Sequence, residues 1–410
     1  MVSQQSGAIG DAAALARDPA RLRDAFCDRE PLARADPAAI RIVRAPGRIN
    51  LIGEHTDYND GLVLPVAIDL AISIAFVPTA TRRADLSLAT TGERAIVDLD
   101  APARARSAVR HWSDYVAGMA RALANAGGRA GGFVGLLASV LPVGAGLSSS
   151  AAFDIAIGWA LGSGHPGLGD PMAFARAAQL AENEYVGVPC GLMDPFAVVF
   201  GVPGSAVFLD CRSLEHRSVA LPAETAIVVT ESGETRGLRT SGYATRRAEC
   251  AAAVAVLARL DPGIRSLRDV TVELLEDARA ELGETGYRRA RHVLTENRRV
   301  TSTVAALEAG EPTEAGRLLL EGHASLRDDF EVSTPALDQL VAIAGTVPGV
   351  HGARMTGGGF GGSMVSLVRE DAVDRLVATL RERYRSPSGE PPVVRRVIPS
   401  AGAALVAIPA

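Results

Sequence analysis

A glycine- and serine-rich stretch, "LPVGAGLSSSAAF" at residues 141–153, has the residue types of a phosphate-binding loop. It leads into an apolar segment that is predicted to be a buried helix. The N-terminus of a helix offers unpaired backbone N–H groups and the positive end of the helix dipole, and both favour a bound anion. Gly144 and Gly146 let the backbone approach phosphate oxygens closely. The alternative is a capped helix after a tight turn, but the three serines at 148–150 exceed what a cap needs, which favours phosphate.

A second stretch, "GRINLIGEHTDYNDGLVLPVAI" at residues 47–68, places seven consecutive hydrogen-bonding side chains, Glu54 to Asp60, between two apolar runs. Three of the seven are acidic. This pattern is unusual for an ordinary loop and for an ordinary strand. A single His or Asp in a loop is usually only solvated, so the residue types alone leave the purpose of the stretch open.

A third stretch, "MTGGGFGGS" at residues 355–363, has five glycines in the six positions around and including Phe360. A structural turn needs one or two glycines. This number predicts that the backbone passes close to a ligand or to another loop, and the alternative is a flexible hinge.

The composition excludes several function classes. All 42 Lys and Arg residues are arginine, which excludes a Schiff base, a Walker A loop and a protein-kinase site. The net charge of −5 argues against a nucleic-acid surface. The chain has no apolar run long enough to span a membrane and no signal-peptide pattern. Its four cysteines form no CxxC pair, so a cytoplasmic location is expected.

The elements around these stretches predict an α+β protein with two lobes. A length of 410 residues favours two domains over one core. Apolar, β-branched runs flank residues 54–60 and predict strands, whereas residues 239–332 have helical periodicity. "DPMAFARAAQLAENEYVG" predicts a helix that Asp170 caps and Gly187 ends. The junction between the lobes is expected near residues 200–220.

Taken together and in this order, the three stretches resemble the motifs of the small-molecule kinase superfamily that contains galactokinase, homoserine kinase, mevalonate kinase and phosphomevalonate kinase. "GEHTDY" in the second stretch is similar to the galactokinase branch. So are "AENEYVGVPCGLMDPF", "YATRRAEC" and "HASLRDDFEVSTPALD". The resemblance extends from about residue 20 to about residue 405.

The resemblance implies a sugar kinase with ATP and Mg²⁺ in a cleft between two lobes. Residues 1–210 would form a ribosomal-protein-type βαβ lobe, and residues 211–410 a ferredoxin-like lobe that closes over the sugar. The partners would be a small sugar and ATP, with no nucleic acid and no membrane, and the protein is expected to be a monomer. The residues implied to hold the ATP phosphates are Gly144, Ala145, Gly146, Leu147, Ser148, Ser149 and Ser150.

The resemblance also assigns the catalytic residues. Asp194, in "CGLMDPF", matches the aspartate that faces the C1 hydroxyl of the sugar and acts as general base or orients that hydroxyl. Arg48 matches the arginine that keeps this aspartate ionised and stabilises the transferring phosphoryl group. On its own, an Asp before Pro195 is more often a turn residue.

The sugar-binding residues follow from the same match. Glu54, His55 and Asp57 correspond to residues that hydrogen-bond sugar hydroxyls, with Gly191 contributing its backbone and Tyr243 its side chain. Thr56 belongs to the same substrate-binding stretch. Together with Tyr58, Asn59 and Asp60 it is expected to shape the turn.

For Mg²⁺, the match implies Ser150 and Glu182. One hydroxyl and one carboxylate, completed by phosphates and water, suit this hard octahedral ion. Glu184 is a competing candidate, and either glutamate could instead be a surface residue. Trp112 and Tyr115 could form part of the adenine pocket or belong to the core.

Two departures leave the sugar open. "DPF" has proline where galactokinases have glutamine, and the segment before Tyr243 is atypical. The main prediction is an ATP-dependent kinase of galactose, acting at C1. The alternatives are a kinase of L-arabinose or N-acetylgalactosamine, and a non-catalytic sugar-sensing relative.

Overall fold

The computed structural model describes residues 11–101, 111–142, 144–162, 170–187, 190–234 and 242–408. The predicted α+β class is confirmed, because helices and three largely antiparallel sheets build the fold. No helix within these residues is long and apolar enough to cross a membrane.

The strands are numbered in chain order. They are β1 (Arg41–Asn50), β2 (Leu62–Val63), β3 (Pro65–Thr79), β4 (Arg83–Leu88), β5 (Arg94–Asp98), β6 (Gly132–Ser139), β7 (Ser205–Asp210), β8 (His216–Ala220), β9 (Thr225–Glu231), β10 (Val350–Thr356), β11 (Ser363–Arg369), β12 (Val394–Val397) and β13 (Ala404–Val406).

The helices with complete bounds are numbered in the same way. They are α1 (Pro19–Arg29), α2 (Pro31–Ala35), α3 (Ser113–Asn125), α4 (Ser149–Gly162), α5 (Pro171–Leu180), α6 (Met193–Phe200), α7 (Tyr243–Leu260), α8 (Val272–Asp277), α9 (Arg279–Glu308), α10 (Pro312–Asp328), α11 (Pro335–Gly345) and α12 (Val373–Arg383). Residues Ala181–Val186 continue α5 as a π-helical turn.

The first sheet has the strand order β13-β1-β3-β6-β4-β5. Its central strand β3 is apolar and β-branched on both faces, as expected of a strand buried on both sides. Helices α4 and α6 pack against β1 and β3. Ile155 and Ile157 of α4 are fully buried, and each buried side chain of this size contributes roughly 1.5–3 kcal/mol. The helix that follows the glycine–serine stretch is therefore firmly anchored.

The second sheet has the strand order β10-β11-β9-β12. Helices α10 and α11 pack on β10, and α11 also contacts α12. The glycine-rich stretch 357–362 connects β10 to β11 and thus lies at one end of these two strands.

Two connections join the parts of the chain that were predicted to form separate lobes. The three-stranded sheet β2-β7-β8 includes a hairpin, β7–β8, that spans the predicted boundary after residue 210. The last strand, β13, pairs with β1 of the first sheet. The boundary between 1–210 and 211–410 stays a prediction.

Most of the predicted elements are present, but helix α6 was not predicted. The helix after Asp170 begins as expected, since the Asp170 carboxylate accepts a hydrogen bond from the backbone N–H of Met172, and Gly187 ends it in a left-handed conformation. Asp194, however, lies in the first turn of helix α6 and not in an isolated turn. Pro195 is tolerated there because the first backbone N–H groups of a helix have no intrahelical partner.

Candidate active site

Arg48 and Asp194 form a partly buried, two-point ion pair. Arg48 lies on β1 just after a register shift, which turns its side chain toward the N-terminus of α6. Its Nε donates to Asp194 Oδ1 at 2.8 Å and its Nη2 donates to Oδ2 at 2.7 Å. The Arg48 side chain is 3 % exposed and that of Asp194 is 25 % exposed, so the carboxylate faces an opening and the guanidinium lies behind it. This geometry fixes the direction of the carboxylate and places a positive charge beside it.

The glycine–serine loop lies directly against this pair. Gly144 and Gly146 have positive φ angles of 83° and 78°, a backbone conformation that glycine adopts readily. Arg48 Nη1 donates to the carbonyl oxygen of Gly146 at 2.7 Å. Ser148 also has a positive φ, 56°, and its Oγ donates to Asp194 Oδ2 at 2.6 Å. Ser148 therefore orients the aspartate, a contact that the sequence did not reveal.

The polar stretch after β1 forms a compact turn. His55 and Asp60 both have positive φ angles, and a short 3₁₀ helix spans Asp57–Asn59. The hydroxyl of Thr56 is buried within 2.7 Å of the carbonyl oxygens of Gly53 and Leu62. This contact shapes the turn, as expected, and a sugar contact by Thr56 stays a prediction.

Four of the predicted sugar-binding residues lie together. The imidazole of His55 is 5.4 Å from the ring of Tyr243, measured between centroids, and its Nδ1 is 2.8 Å from the hydroxyl of Tyr58. Gly191 lies so close to Asp57 that a side chain at position 191 would occupy the space of the Asp57 carboxylate. Burial raises the pKa of Asp57 to about 6, and the negative charge of Asp194 adds to this effect.

A polar cavity adjoins this group. Its volume is about 310 Å³, and Asp57, Cys190, Gly191 and Arg247 are among the residues that line it. Residues 235–241, part of the atypical segment before Tyr243, lie outside the described residues.

Glu54 differs from the other predicted sugar ligands because it belongs to a buried charge network. It is 1 % exposed, and one carboxylate oxygen lies 2.5 Å from Nη2 of Arg354, on β10. The same Nη2 donates to Glu296 Oε1 at 2.7 Å, and Glu296 Oε1 also accepts from the backbone N–H of Gly53 at 3.0 Å. Arg354 and Glu296 were missed in the sequence because they lie far from Glu54 along the chain. The only sequence signal is that Arg354 immediately precedes "MTGGGFGGS".

The predicted metal ligands are also neighbours. Glu182 lies in the π-helical turn, is 4 % exposed, and accepts a hydrogen bond from the hydroxyl of Ser150. Its Oε1 is buried without a hydrogen-bond partner among the described residues, whereas Glu184 is exposed. A buried carboxylate oxygen beside a serine hydroxyl fits Mg²⁺, which takes few protein ligands. No group of three or more His, Cys, Asp or Glu residues that could hold a metal is found in the described ranges.

The glycine-rich stretch reaches across to the phosphate-binding candidate. Gly357, Gly359, Phe360, Gly361 and Gly362 all have positive φ angles. At the end of this turn, Ser363 Oγ donates to the carbonyl oxygen of Ala145 at 2.7 Å. The prediction that this backbone passes close to another loop is confirmed.

Trp112 and Tyr115 pack against α4. Both rings meet Phe153 edge-on, with centroids 6.4 Å and 6.0 Å away, respectively. Trp112 is partly buried against the core of the first sheet. A role of either residue in an adenine pocket stays a prediction.

Three segments match described protein families. Residues 33–78 match the galactokinase galactose-binding signature, residues 114–202 the N-terminal domain of the GHMP kinases, and residues 303–386 their C-terminal domain. These segments contain most of the residues described above.

Full-length relatives agree with these matches. A galactokinase of Roseiflexus sp. (strain RS-1) is 46 % identical over 350 residues, which cover 85 % of this chain and 88 % of the relative. A galactokinase of Homo sapiens is 43 % identical over 83 % of this chain and 87 % of the relative.

Solved structures agree as well. The crystal structure of Lactococcus lactis galactokinase complexed with galactose superimposes with a TM-score of 0.82 and 33 % identity, over 92 % of this chain and 99 % of that chain. Methanococcus jannaschii mevalonate kinase, at 16 % identity and a TM-score of 0.63, shares the fold over 88 % of this chain and 98 % of that chain.

Proposed function

The chain belongs to the galactokinase family, and from this premise we propose that it transfers the γ-phosphoryl group of ATP to the C1 hydroxyl of galactose. The single observation that carries the chemistry is the Arg48–Asp194 pair, which lies between the glycine–serine loop and the sugar-binding turn. A sugar hydroxyl is a weak nucleophile, so the reaction requires alignment, neutralisation of charge and an acceptor for the proton.

Asp194 accepts or orients the proton of the C1 hydroxyl. As the C1 oxygen forms its bond to the γ-phosphorus, the bond between that phosphorus and the β,γ-bridging oxygen breaks, and ADP leaves. The hydroxyl proton passes to the Asp194 carboxylate, which Arg48 and Ser148 hold in a fixed direction. Arg48 also supplies positive charge beside the transferring group, in a site where little water weakens it.

The sugar is held by the turn that follows β1. Asp57 accepts hydrogen bonds from hydroxyl groups of the sugar, and His55 donates or accepts one through its ring nitrogens. Tyr243 and the backbone of Gly191 complete the site. Glu54, whose carboxylate pairs with Arg354, is the remaining residue that we propose to bind the sugar. Paired carboxylates and an imidazole suit vicinal hydroxyl groups, which present donors and acceptors together.

ATP binds through the glycine–serine loop and the N-terminus of α4. Backbone N–H groups of residues 144–148 and the dipole of α4 favour the phosphates. Ser150 and Glu182 would hold Mg²⁺. When bound, this ion neutralises phosphate charge and fixes the orientation of the γ-phosphoryl group.

A sugar panel tests this proposal. Purified protein with ATP and Mg²⁺ is expected to release ADP with galactose at a kcat/KM well above that for L-arabinose or N-acetylgalactosamine. Either of these sugars outperforming galactose would overturn the choice of substrate, and no ADP with any sugar would overturn kinase activity altogether.

The location and the oligomeric state are part of the same proposal. We expect the protein to be a monomer. We also expect it in the cytoplasm, which accords with four cysteines that are all free thiols. Sedimentation velocity checks the monomer, and a dimer at working concentration would contradict it.

A further inference from the structure

Asp154 is a buried carboxylate to which neither the sequence motifs nor the proposed reaction assigns a role. It lies on α4, is 0 % exposed, and neither of its carboxylate oxygens has a hydrogen-bond partner in the part of the chain that the structure describes. Native proteins rarely leave a buried charged or polar side chain in this state, so each instance requires an explanation.

The surroundings of Asp154 make its burial more costly. Among the described residues, the charged group close enough to affect Asp154 is Glu182, whose carboxylate is also negative and repels it. Glu182 is itself buried, with one oxygen unpartnered. Arg48 lies near enough to Glu182 to offset part of its charge, but no positive group acts on Asp154 among the described residues. A buried carboxylate in this state is strongly unfavourable, so either a proton or a cation must compensate Asp154.

The position of Asp154 on the helix indicates the cation. Ser150 and Asp154 are four residues apart on α4, so they lie on the same face. The helix rises about 6 Å over four residues, a distance that a carboxylate and a bound water can span. Mg²⁺ usually keeps several of its waters when a protein binds it, and those waters need hydrogen-bond acceptors.

We propose that Asp154 is a positioning residue of the metal site: its carboxylate accepts hydrogen bonds from water molecules of a Mg²⁺ ion held by Ser150 and Glu182. This inference rests on the proposed function, because it takes Mg²⁺ to be bound at these two residues. It explains why an acidic side chain is buried one turn behind the phosphate-binding loop.

The test measures metal binding without turnover. Mn²⁺ replaces Mg²⁺ as an electron paramagnetic resonance probe in the complex of the protein with a non-hydrolysable ATP analogue. Asp154→Asn is expected to weaken Mn²⁺ binding by roughly 10–100-fold, the usual cost of losing an outer-shell partner. Binding of the analogue without metal should not change, and the metal-free variant should melt no lower than wild type, because Asp154 has no hydrogen bond among the described residues to lose.

Controls separate this role from a structural one. Glu184→Gln removes an exposed carboxylate two residues from Glu182 and is expected to leave Mn²⁺ affinity unchanged. Asp154→Ser, a smaller variant, is expected to show the same loss as Asp154→Asn and serves if the latter does not fold. Unchanged Mn²⁺ affinity in the folded variants would overturn the proposal, since Asp154 would then be a permanently protonated acid.

The same measurement is independent of the substrate. If wild type binds Mn²⁺ and analogue but phosphorylates no sugar, the proposed function fails while the role of Asp154 can still be decided. If wild type turns over galactose and Asp154→Asn binds Mn²⁺ normally, only the role of Asp154 fails.

Discussion

At the scale of single residues, the site depends on which partner each charge has. Asp194 is held at two points by Arg48 and at a third by Ser148, and its carboxylate is left partly open. An Asp in a surface turn would sample many directions, whereas this one has a single direction. The arrangement therefore matches a group that must receive one particular proton.

We predict that Asp194→Asn lowers kcat by roughly 10²–10⁴-fold, the usual contribution of a general base. Affinity for ATP should stay close to wild type, because we propose that the phosphates contact the loop and the helix N-terminus and not Asp194. Steady-state kinetics and calorimetric titration with an ATP analogue check both quantities.

Asp85→Asn is a matched control for this variant. Asp85 also forms a two-point pair with an arginine, Arg94, but on strands β4 and β5 outside the site. Its loss is expected to leave kcat unchanged. Near-normal turnover by Asp194→Asn would remove Asp194 from the mechanism.

Glu54 and Glu296 share the guanidinium of Arg354, yet their pKa values shift in opposite directions. Burial raises the pKa of Glu54 to about 7, which Arg354 only partly offsets. Burial also opposes ionisation of Glu296, but Arg354 and Arg299 outweigh it and hold the pKa of Glu296 well below its usual range. At neutral pH, Glu296 is therefore ionised while Glu54 titrates.

We predict that Glu54→Gln becomes less destabilising, relative to wild type, as the pH rises from about 5 to about 8. The pKa of Glu54 in the folded protein lies above its ordinary value of 4.5, so folding takes up a proton in this range. The stability that Glu54 contributes is present at low pH and decreases as the pH rises through 7, by up to about 1.4 kcal/mol per pH unit. Urea unfolding at a series of pH values measures this difference.

Glu296→Gln provides the contrast. The pKa of Glu296 in the folded protein lies below this pH range, so its contribution is fully present throughout and is lost only in more acidic solution. The part of the destabilisation that comes from the titration of Glu296 itself should therefore be constant from about pH 5 to about pH 8, whereas the loss of its charge also lowers the pKa of Glu54. A Glu54→Gln effect that is equally constant would contradict the pKa assigned to Glu54.

At the scale of elements, three short backbone features bring the site together. The register shift in β1 directs Arg48, the first turn of α6 presents Asp194, and the turn 357–362 brings Ser363 to the phosphate-binding loop. Each feature contains a glycine or proline at a position that needs unusual backbone geometry or a missing side chain. The approach to α6 is the most crowded of the three, because Gly191 lies against Asp57.

We predict that Gly191→Ala raises the KM for galactose by about tenfold or more, equivalent to about 1.4 kcal/mol. The added methyl group must displace the Asp57 carboxylate, which then no longer meets the sugar. The KM for ATP should change little. Initial-rate kinetics with each substrate varied in turn separates the two constants.

Gly345→Ala is the matched control, since a methyl group at the end of α11 would meet open space. Both constants should stay at wild-type values in this variant. An unchanged KM for galactose in Gly191→Ala would show that Asp57 does not contact the sugar.

Local sequence patterns predicted most helices and strands but not which residues contact one another where these elements end. Helix α4 and strand β3 were predictable because each is a long, nearly continuous apolar run. Helix α6 was missed because it is short and has a proline in its first turn. The partnership of Arg354 with Glu54 and Glu296 depends on contacts between residues more than 50 positions apart, which one sequence does not show.

At the scale of the whole molecule, residues from both halves of the chain lie around the site. The phosphate-binding loop and the sugar-binding turn lie near the first sheet, whereas Arg354 and Ser363 come from the second. Strand β13, at the far end of the chain, pairs with β1, which carries Arg48. Residues from both halves are thus needed to build one site, as expected for a kinase that must exclude water from phosphoryl transfer.

The identity of the product tests the central claim most directly. After incubation of the purified protein with ATP, Mg²⁺ and galactose, phosphorus NMR of the sugar product is expected to show coupling between the phosphorus and the anomeric proton. That coupling would place the phosphate on C1, the hydroxyl assigned to Asp194. Coupling to a proton at any other carbon, or no phosphorylated galactose at all, would contradict the account.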